Sequence, residues 1–345
     1  MKDPNALYID NITWFVGIDI SKACLDVHLR PAGHSFRCDN NAEGFGALDA
    51  WLRTHGATPK TTIVCMEQTG VYGKQLVAAL TEAGWQCAVE HTTITRKVGA
   101  DHHRKDDAYD AALVSEYAER FLDILQLSQP TEASVDELRR LYTERVRLVT
   151  YRAATKSKQT QAKHEVVESP LCIELWQHQI DFYDDHIAQI QAQIETLISN
   201  HEGLQAYYDL VVSIPGMGPV TAWLWLILFY GEDQLNHKKV ASRFGFAPHS
   251  HMSGSSVRGK TRSSGHGLSE MRAKMTMVVR SSSTHVQKFQ EYKQRKEEEG
   301  KMWPVIRNNL INKYIKITCA IWNNKTPYDP NHTSRFHRQK KAKAA

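Results

Sequence analysis

The chain has no long apolar run. Its longest, Ala222 to Tyr230, falls far short of the roughly 18 residues a membrane-spanning helix needs, so no such span is expected. It lacks a basic opening followed by an apolar stretch: Met1 to Ile12 carries acids and asparagines, which excludes a secretory signal there and makes a cytoplasmic protein the expectation. Cysteine is sparse. The six, Cys24, Cys38, Cys65, Cys87, Cys172 and Cys319, contain no C-x-x-C pair, which argues against a zinc knuckle or a redox motif and for reduced, mostly buried thiols. No internal repeat is present, and charge of one sign hardly dominates, the net value being +5.

The basic charge that is present is unevenly spread. Arg258, Lys260, Arg262, Arg272, Lys274 and Arg280 crowd one stretch, and a tail from Arg335 to Lys343 adds Arg338, Lys340 and Lys341. Such clustering is the footprint of a polyanionic partner, although a solvated face and a loose end give the same pattern. With 345 residues the chain is long enough for two or three domains.

Trp14 to Ile20, Leu25 to Leu29 and Ser35 to Cys38 read as three strands joined by short turns, the second turn at Pro31-Ala-Gly33. An amphipathic stretch, Phe45 to Leu52, follows. Then come a buried strand Thr62 to Glu67, a helix Tyr72 to Ala83, a strand Gln86 to Glu90 and a closing helix Asp107 to Phe121. This β-β-β-α-β-α-β order is that of an RNase H-like α/β domain, assigned to residues 1–128. Residues 129–202 read as two long helices broken at Ser169-Pro170. The second carries a heptad seam of Ile180, Tyr183, Ile187, Ile190, Ile194 and Leu197, but on the first Arg145 and Arg152 fall on the seam. An antiparallel hairpin and a dimerising or nucleic-acid-spanning coiled-coil arm both fit. Residues 203–326 read as a mainly α domain, and 327–345 as the basic tail.

Four acids carry the chemistry. Asp19 interrupts the apolar strand Val16-Gly-Ile-Asp-Ile20, and a carboxylate buried there needs a balancing charge. Glu67 ends Ile63-Val-Cys-Met66 in the same way on the strand expected alongside. Asp107 and Asp110, three residues apart at the start of a helix, share a face at its positive end. Together the four offer hard oxygen donors suited to Mg2+, with Mn2+ as an alternative, and a pair of such ions promotes phosphodiester cleavage. Singly, Asp107 and Asp110 are also ordinary capping acids and Asp19 an ordinary ion-paired one. Asp101 and Asp106 lie close by, and His102 and His103 read as surface residues.

Two glycine-containing segments follow. Ser213-Ile-Pro-Gly-Met-Gly-Pro-Val-Thr-Ala222 resembles a helix-hairpin-helix turn, in which Gly216 and Gly218 expose N–H groups to a DNA phosphate; a plain helical packing corner is the alternative. Ser253-Gly-Ser-Ser-Val-Arg-Gly259 lies in a Gly/Ser-rich basic loop from Ser250 to Gly267, where Arg258, Lys260 and Arg262 suit a phosphate. A serine hydroxyl is a weak nucleophile unless activated, and such loops usually do no more than connect.

Gly17-Ile-Asp-Ile-Ser-Lys22, Glu67-Gln-Thr-Gly70, Lys105-Asp-Asp-Ala-Tyr-Asp-Ala111, Ile214-Pro-Gly-Met-Gly218 and Ser253-Gly-Ser-Ser-Val-Arg-Gly259, in that order, resemble the DEDD transposases of bacterial insertion sequences. This family is related to the Piv DNA invertase and includes the bridge-RNA-guided recombinases. The resemblance implies a RuvC-like N-terminal domain, a coiled-coil arm and a C-terminal transposase domain. It implies Asp19, Glu67, Asp107 and Asp110 as magnesium ligands and Ser253 as the residue that joins cleaved DNA, with Ser255 and Ser256 as close neighbours. It further implies target and donor DNA as substrates, a structured guide RNA encoded by the element, and a tetramer. A metal nuclease or junction resolvase using the acids alone, an unguided DNA invertase, and a non-catalytic nucleic-acid-binding protein are the competing readings.

Overall fold

The computed structural model describes residues 11–68, 70–90, 106–128, 132–167, 169–249, 252–253, 257–258, 262–263, 265 and 267–332. Its contacts divide the chain into two compact units, Met1–Thr131 and Glu132–Ala345.

In the first unit, β1 (Trp14–Ile20), β2 (Cys24–Arg30) and β3 (His34–Asp39) form the expected meander. Short turns force antiparallel pairing. In the first, Ser21 Oγ accepts from the Cys24 N–H at 2.9 Å, and in the second Gly33 takes a φ of 74°. Helix α1 (Ala42–Thr54), capped by Asn41, then carries the chain across to β4 (Thr62–Glu67), which pairs with β1 in parallel. Helix α2 (Lys74–Glu82) leads in the same way to β5 (Gln86–Glu90), and α3 (Asp107–Arg120) follows. The strand order is β3-β2-β1-β4-β5.

Side chains alternate across this sheet. Val16, Ile18, Ile20, Val64 and Met66 join Leu48 and Leu52 of α1 and Leu76 and Leu80 of α2 in one core. Phe15, Ile63, Cys65 and Ala88 meet Val114, Tyr117 and Ala118 of α3 on the opposite face. Asp19 and Glu67, in phase with Phe15 and Cys65, therefore belong to the α3 face.

The second unit opens with α4 (Ala133–Ala162) and α5 (Pro170–Ser199), with Pro170 in the first turn, where its missing N–H breaks no helical bond. The two helices run antiparallel. Arg145 Nε donates to Gln191 Oε1 at 3.0 Å, Arg152 pairs with Asp184, and Gln159 Nε2 donates to Gln177 Oε1 at 3.0 Å. Each step of seven along α4 is thus answered seven residues back along α5. This explains the two arginines on the seam: the partner helix supplies polar groups opposite them, while Ile180, Ile187 and Ile194 are buried.

Beyond the hairpin lie α6 (Glu202–Val212), α7 (Pro219–Phe229), α8 (His237–Arg243), α9 (Ser269–His285), α10 (Gln287–Glu298) and α11 (Trp303–Asn324). Their core centres on Trp223, Trp225, Phe229, Phe244, Tyr314 and Trp322, and it takes in Val135, Leu138, Tyr142, Ile194 and Ile198 from the base of the hairpin. The arm and the region after Gly203 therefore share one interior. Among the described residues no helix is long and apolar enough to cross a membrane. Cys65, Cys87 and Cys319 are buried and the other three cysteines half-buried, so the thiols are less enclosed than expected.

Candidate active site

The approach of α3 to β1 sets the geometry. A Cβ added to Gly17 would overlap the Ala111 carbonyl oxygen and the Ser115 nitrogen, so only glycine lets the helix sit this close. On β2, opposite Gly17, His28 Nδ1 lies 2.8 Å from Ser115 Oγ. That hydroxyl donates to the Ala112 carbonyl at 2.7 Å, so the imidazole N–H donates to it and pins β2 to the same helix.

These contacts bring the N-terminus of α3 over the end of β1. Asp106 caps the helix, accepting from the Ala108 N–H at 3.2 Å. Capping is thus done by the residue before the expected pair, which leaves Asp107 exposed and Asp110 half-buried in the first turn. Burial pushes Asp19 up to about 6, with the negative charges of Asp107, Asp110 and Asp26 adding to the effect. Burial, then Asp107 and Asp106, raise Asp110 as well. Glu67 follows Met66, the register partner of Ile18, on the adjacent strand, and its Oε1 is shielded from solvent.

Two further acids share this face. Asp26, buried, stands directly opposite Asp19 in the β1–β2 register, with Arg37 Nη1 3.7 Å away. Burial raises it despite that arginine. Glu90 pairs in register with Glu67 and accepts from the Tyr117 hydroxyl at 3.4 Å. A polar residue in the apolar alternation of Leu25-Asp-Val27 was the available signal for Asp26; for Glu90 the signal was its place at the end of a buried strand.

The donor set fits a hard divalent cation: all oxygens, crowded by like charge, facing the positive end of a helix. Among the described residues, however, no three His, Cys, Asp or Glu side chains close to metal-holding spacing. The structure brings Asp19, Asp107 and Asp110 into mutual electrostatic range and sets Glu67 on the neighbouring strand of the same face.

In the second unit, the Gly216–Gly218 turn joins α6 to α7. Gly216 has a φ of 88°, and a Cβ there would come within 3.4 Å of the Val278 carbonyl oxygen. Tyr314 Oη donates to the Pro215 carbonyl at 2.8 Å, while Ile214 and Met217 are buried. The turn is therefore also a packing corner. Within the Ser250–Gly267 segment the described residues include short strands. Strands β6 (Pro248–His249) and β9 (Arg262–Ser263) pair outside an inner ladder of β7 (Met252–Ser253) and β8 (Val257–Arg258), with Ser253 opposite Val257. Ser253, Arg258 and Arg262 are described by their backbone alone; Lys260, Ser255, Ser256, Asp101, His102, His103 and the tail from 333 lie outside the described residues.

Residues 16–163 match a family model described as a transposase, and residues 208–294 match one described as the transposase IS116/IS110/IS902 family. Two curated proteins named pilin gene-inverting protein, from Moraxella lacunata and Moraxella bovis, are each 26% identical over 334 residues, covering 91% of this chain and 97% of the relative. Together with the acidic face on a mixed sheet, these matches define a DNA recombinase, an enzyme whose substrate is DNA. The chain belongs to the IS110 family of insertion-sequence transposases.

Proposed function

We propose that this recombinase cuts and exchanges DNA strands with Asp19, Glu67, Asp107 and Asp110 holding Mg2+, or Mn2+, and with Ser253 as the nucleophile that joins to the cleaved strand. The observation that carries the reading is the meeting of Asp19 with Asp107 and Asp110 of the first turn of α3, where burial and then those like charges raise Asp19 to about 6, a cost that a cation would relieve. When bound, the ion supplies charge neutralisation at the scissile phosphate. The chain's own residues do the positioning. Gly17 and the His28–Ser115 bond hold α3 on the sheet, Asp106 satisfies the helix end so that Asp107 and Asp110 stay available, and Glu67 completes the set from β4.

For the serine, support comes from the resemblance and from the strand pairing of the Ser253 backbone with Val257. The carboxylate sheet supports an RNase H-like, RuvC-like assignment. The α4–α5 hairpin supports a coiled-coil arm, whereas the proposed tetramer rests on the resemblance. Exposed Gly216 and half-buried Gly218, which caps α7, support phosphate contact. Pairing of a structured guide RNA with target and donor DNA rests on the resemblance alone.

The test is denaturing electrophoresis of the protein incubated with its element-end DNA and Mg2+. Wild type is expected to give a covalent protein–DNA adduct that Ser253→Ala removes while DNA binding persists, and Asp19→Asn is expected to abolish strand exchange. Cleavage that gives no adduct in wild type and survives Ser253→Ala would establish the acid-only nuclease instead.

A further inference from the structure

Between α9, α10 and α11 lies a cavity of about 350 Å3, walled by Arg280, Lys293, Arg307 and Trp303. It is built on helical spacing: Thr276, Arg280, Ser283 and Thr284 lie along one side of α9, and Trp303 and Arg307 lie one turn apart on α11. Three cations meet here with little to balance them. Lys293 Nζ has only a loose approach to Glu297 at 3.9 Å. Arg280 and Arg307 have no carboxylate partner among the described residues. By contrast Arg272, from the same basic run of sequence, is tied to the Gly265 carbonyl.

The hydroxyls of this cavity are already committed. Thr276 donates to the Arg272 carbonyl at 2.8 Å, and Ser283 and Thr284 both donate to the Arg280 carbonyl at 3.1 Å. The charged donors left are the two guanidinium groups and the ammonium, and such a set recognises a tetrahedral dianion or a phosphodiester rather than a neutral ligand. Trp303 holds Lys293 in place, with Nζ 5.5 Å from the ring centroid. The volume is at the low end for a ligand cavity and suits a single nucleotide unit rather than a whole helix. Cations also crowd between α10 and α11, where Lys313 is pushed down by burial and by Arg295, Lys288 and Lys296.

We propose that the α9–α11 cavity is a DNA backbone site in which Arg280, Arg307 and Lys293 hold one phosphodiester. The cavity shares no residue with the four carboxylates or with the strand that carries Ser253, and its role is to seat DNA.

The experiment is a salt titration of binding, read by fluorescence anisotropy in EDTA, with the full chain and three probes of equal length: duplex DNA, single-stranded DNA and RNA. The double variant Arg280→Ala/Arg307→Ala is expected to bind DNA about tenfold more weakly near 0.1 M salt and to lower the slope of log K against log salt by about one, as loss of one phosphate contact requires. Restoring both positions as lysine should recover most of the slope. Arg280→Glu, at an exposed position that leaves packing intact, guards against a folding artefact and should weaken DNA binding further. An unchanged DNA slope in these variants, or a loss confined to the RNA probe, overturns the proposal. Because binding is read without metal and without strand cleavage, its failure leaves the catalytic reading untouched, and failure of that reading leaves this one standing.

Discussion

At the scale of single residues, Asp19 is under electrostatic strain that its burial, and after it the neighbouring acids, create. Its pKa in the fold, about 6, lies above the ordinary aspartate value of roughly 3.9. Between those two values the folded chain binds a proton that the unfolded chain has released. The resulting stability is complete below about pH 4 and is lost as pH rises through about 6. In metal-free buffer near neutral pH, Asp19→Asn is therefore expected to raise Tm by a few degrees, on the order of 1 kcal/mol after solvent screening, and to change little near pH 4. Thermal melts at the two pH values check this, and a lower Tm at neutral pH contradicts it. Added Mg2+ should then raise the Tm of wild type more than that of Asp19→Asn, since a ligand stabilises the state that binds it. Asp106 behaves differently because it caps a helix: Asp106→Asn should keep both stability and strand exchange, whereas Asp106→Ala should cost about 1 kcal/mol.

At the scale of elements, the decisive contact is a helix resting on a strand with no side chain between them. Gly17→Ala places a methyl group against the backbone at Ala111 and Ser115, neither of which can turn aside. The expected cost is about 2 kcal/mol or more, together with a loss of strand exchange larger than the lost stability explains, because α3 carries Asp107 and Asp110 away from Asp19. Chemical denaturation and an activity assay on the folded fraction separate the two effects. In the hairpin, Arg145 and Arg152 show that a seam with the wrong residue type need not be a weak seam. Burial of Arg145 is offset by the amide of Gln191 and the face of Trp223, and Arg152 finds Asp184.

At the scale of the molecule, each unit carries its own core, drawn from residues within 12–127 in one case and 135–328 in the other. A fragment ending at Thr131 is accordingly expected to unfold in its own cooperative transition, as is one starting at Glu132, each visible by calorimetry. A fragment beginning at Gly203 lacks Val135, Leu138, Tyr142, Ile194 and Ile198 from its core and should be unstable by comparison. The arm's base is thus part of the interior it was expected to flank.

The sequence alone carried the order of strands and helices along the first unit, the break at Ser169-Pro170, the buried isoleucines of α5 and the candidacy of Asp19, Glu67, Asp107 and Asp110, because periodicity, proline geometry and a charge in an apolar run are local signals. The tertiary structure decided what depends on distant partners. Asp26 and Glu90 join the acidic face only through strand register. Asp106 takes the cap because the helix begins one residue after it. Gly216 serves packing because α9 and Tyr314 lie against it. Arg280 and Arg307 form one cavity only when α9 and α11 are brought together, since no spacing along a chain encodes which charges end up without a partner.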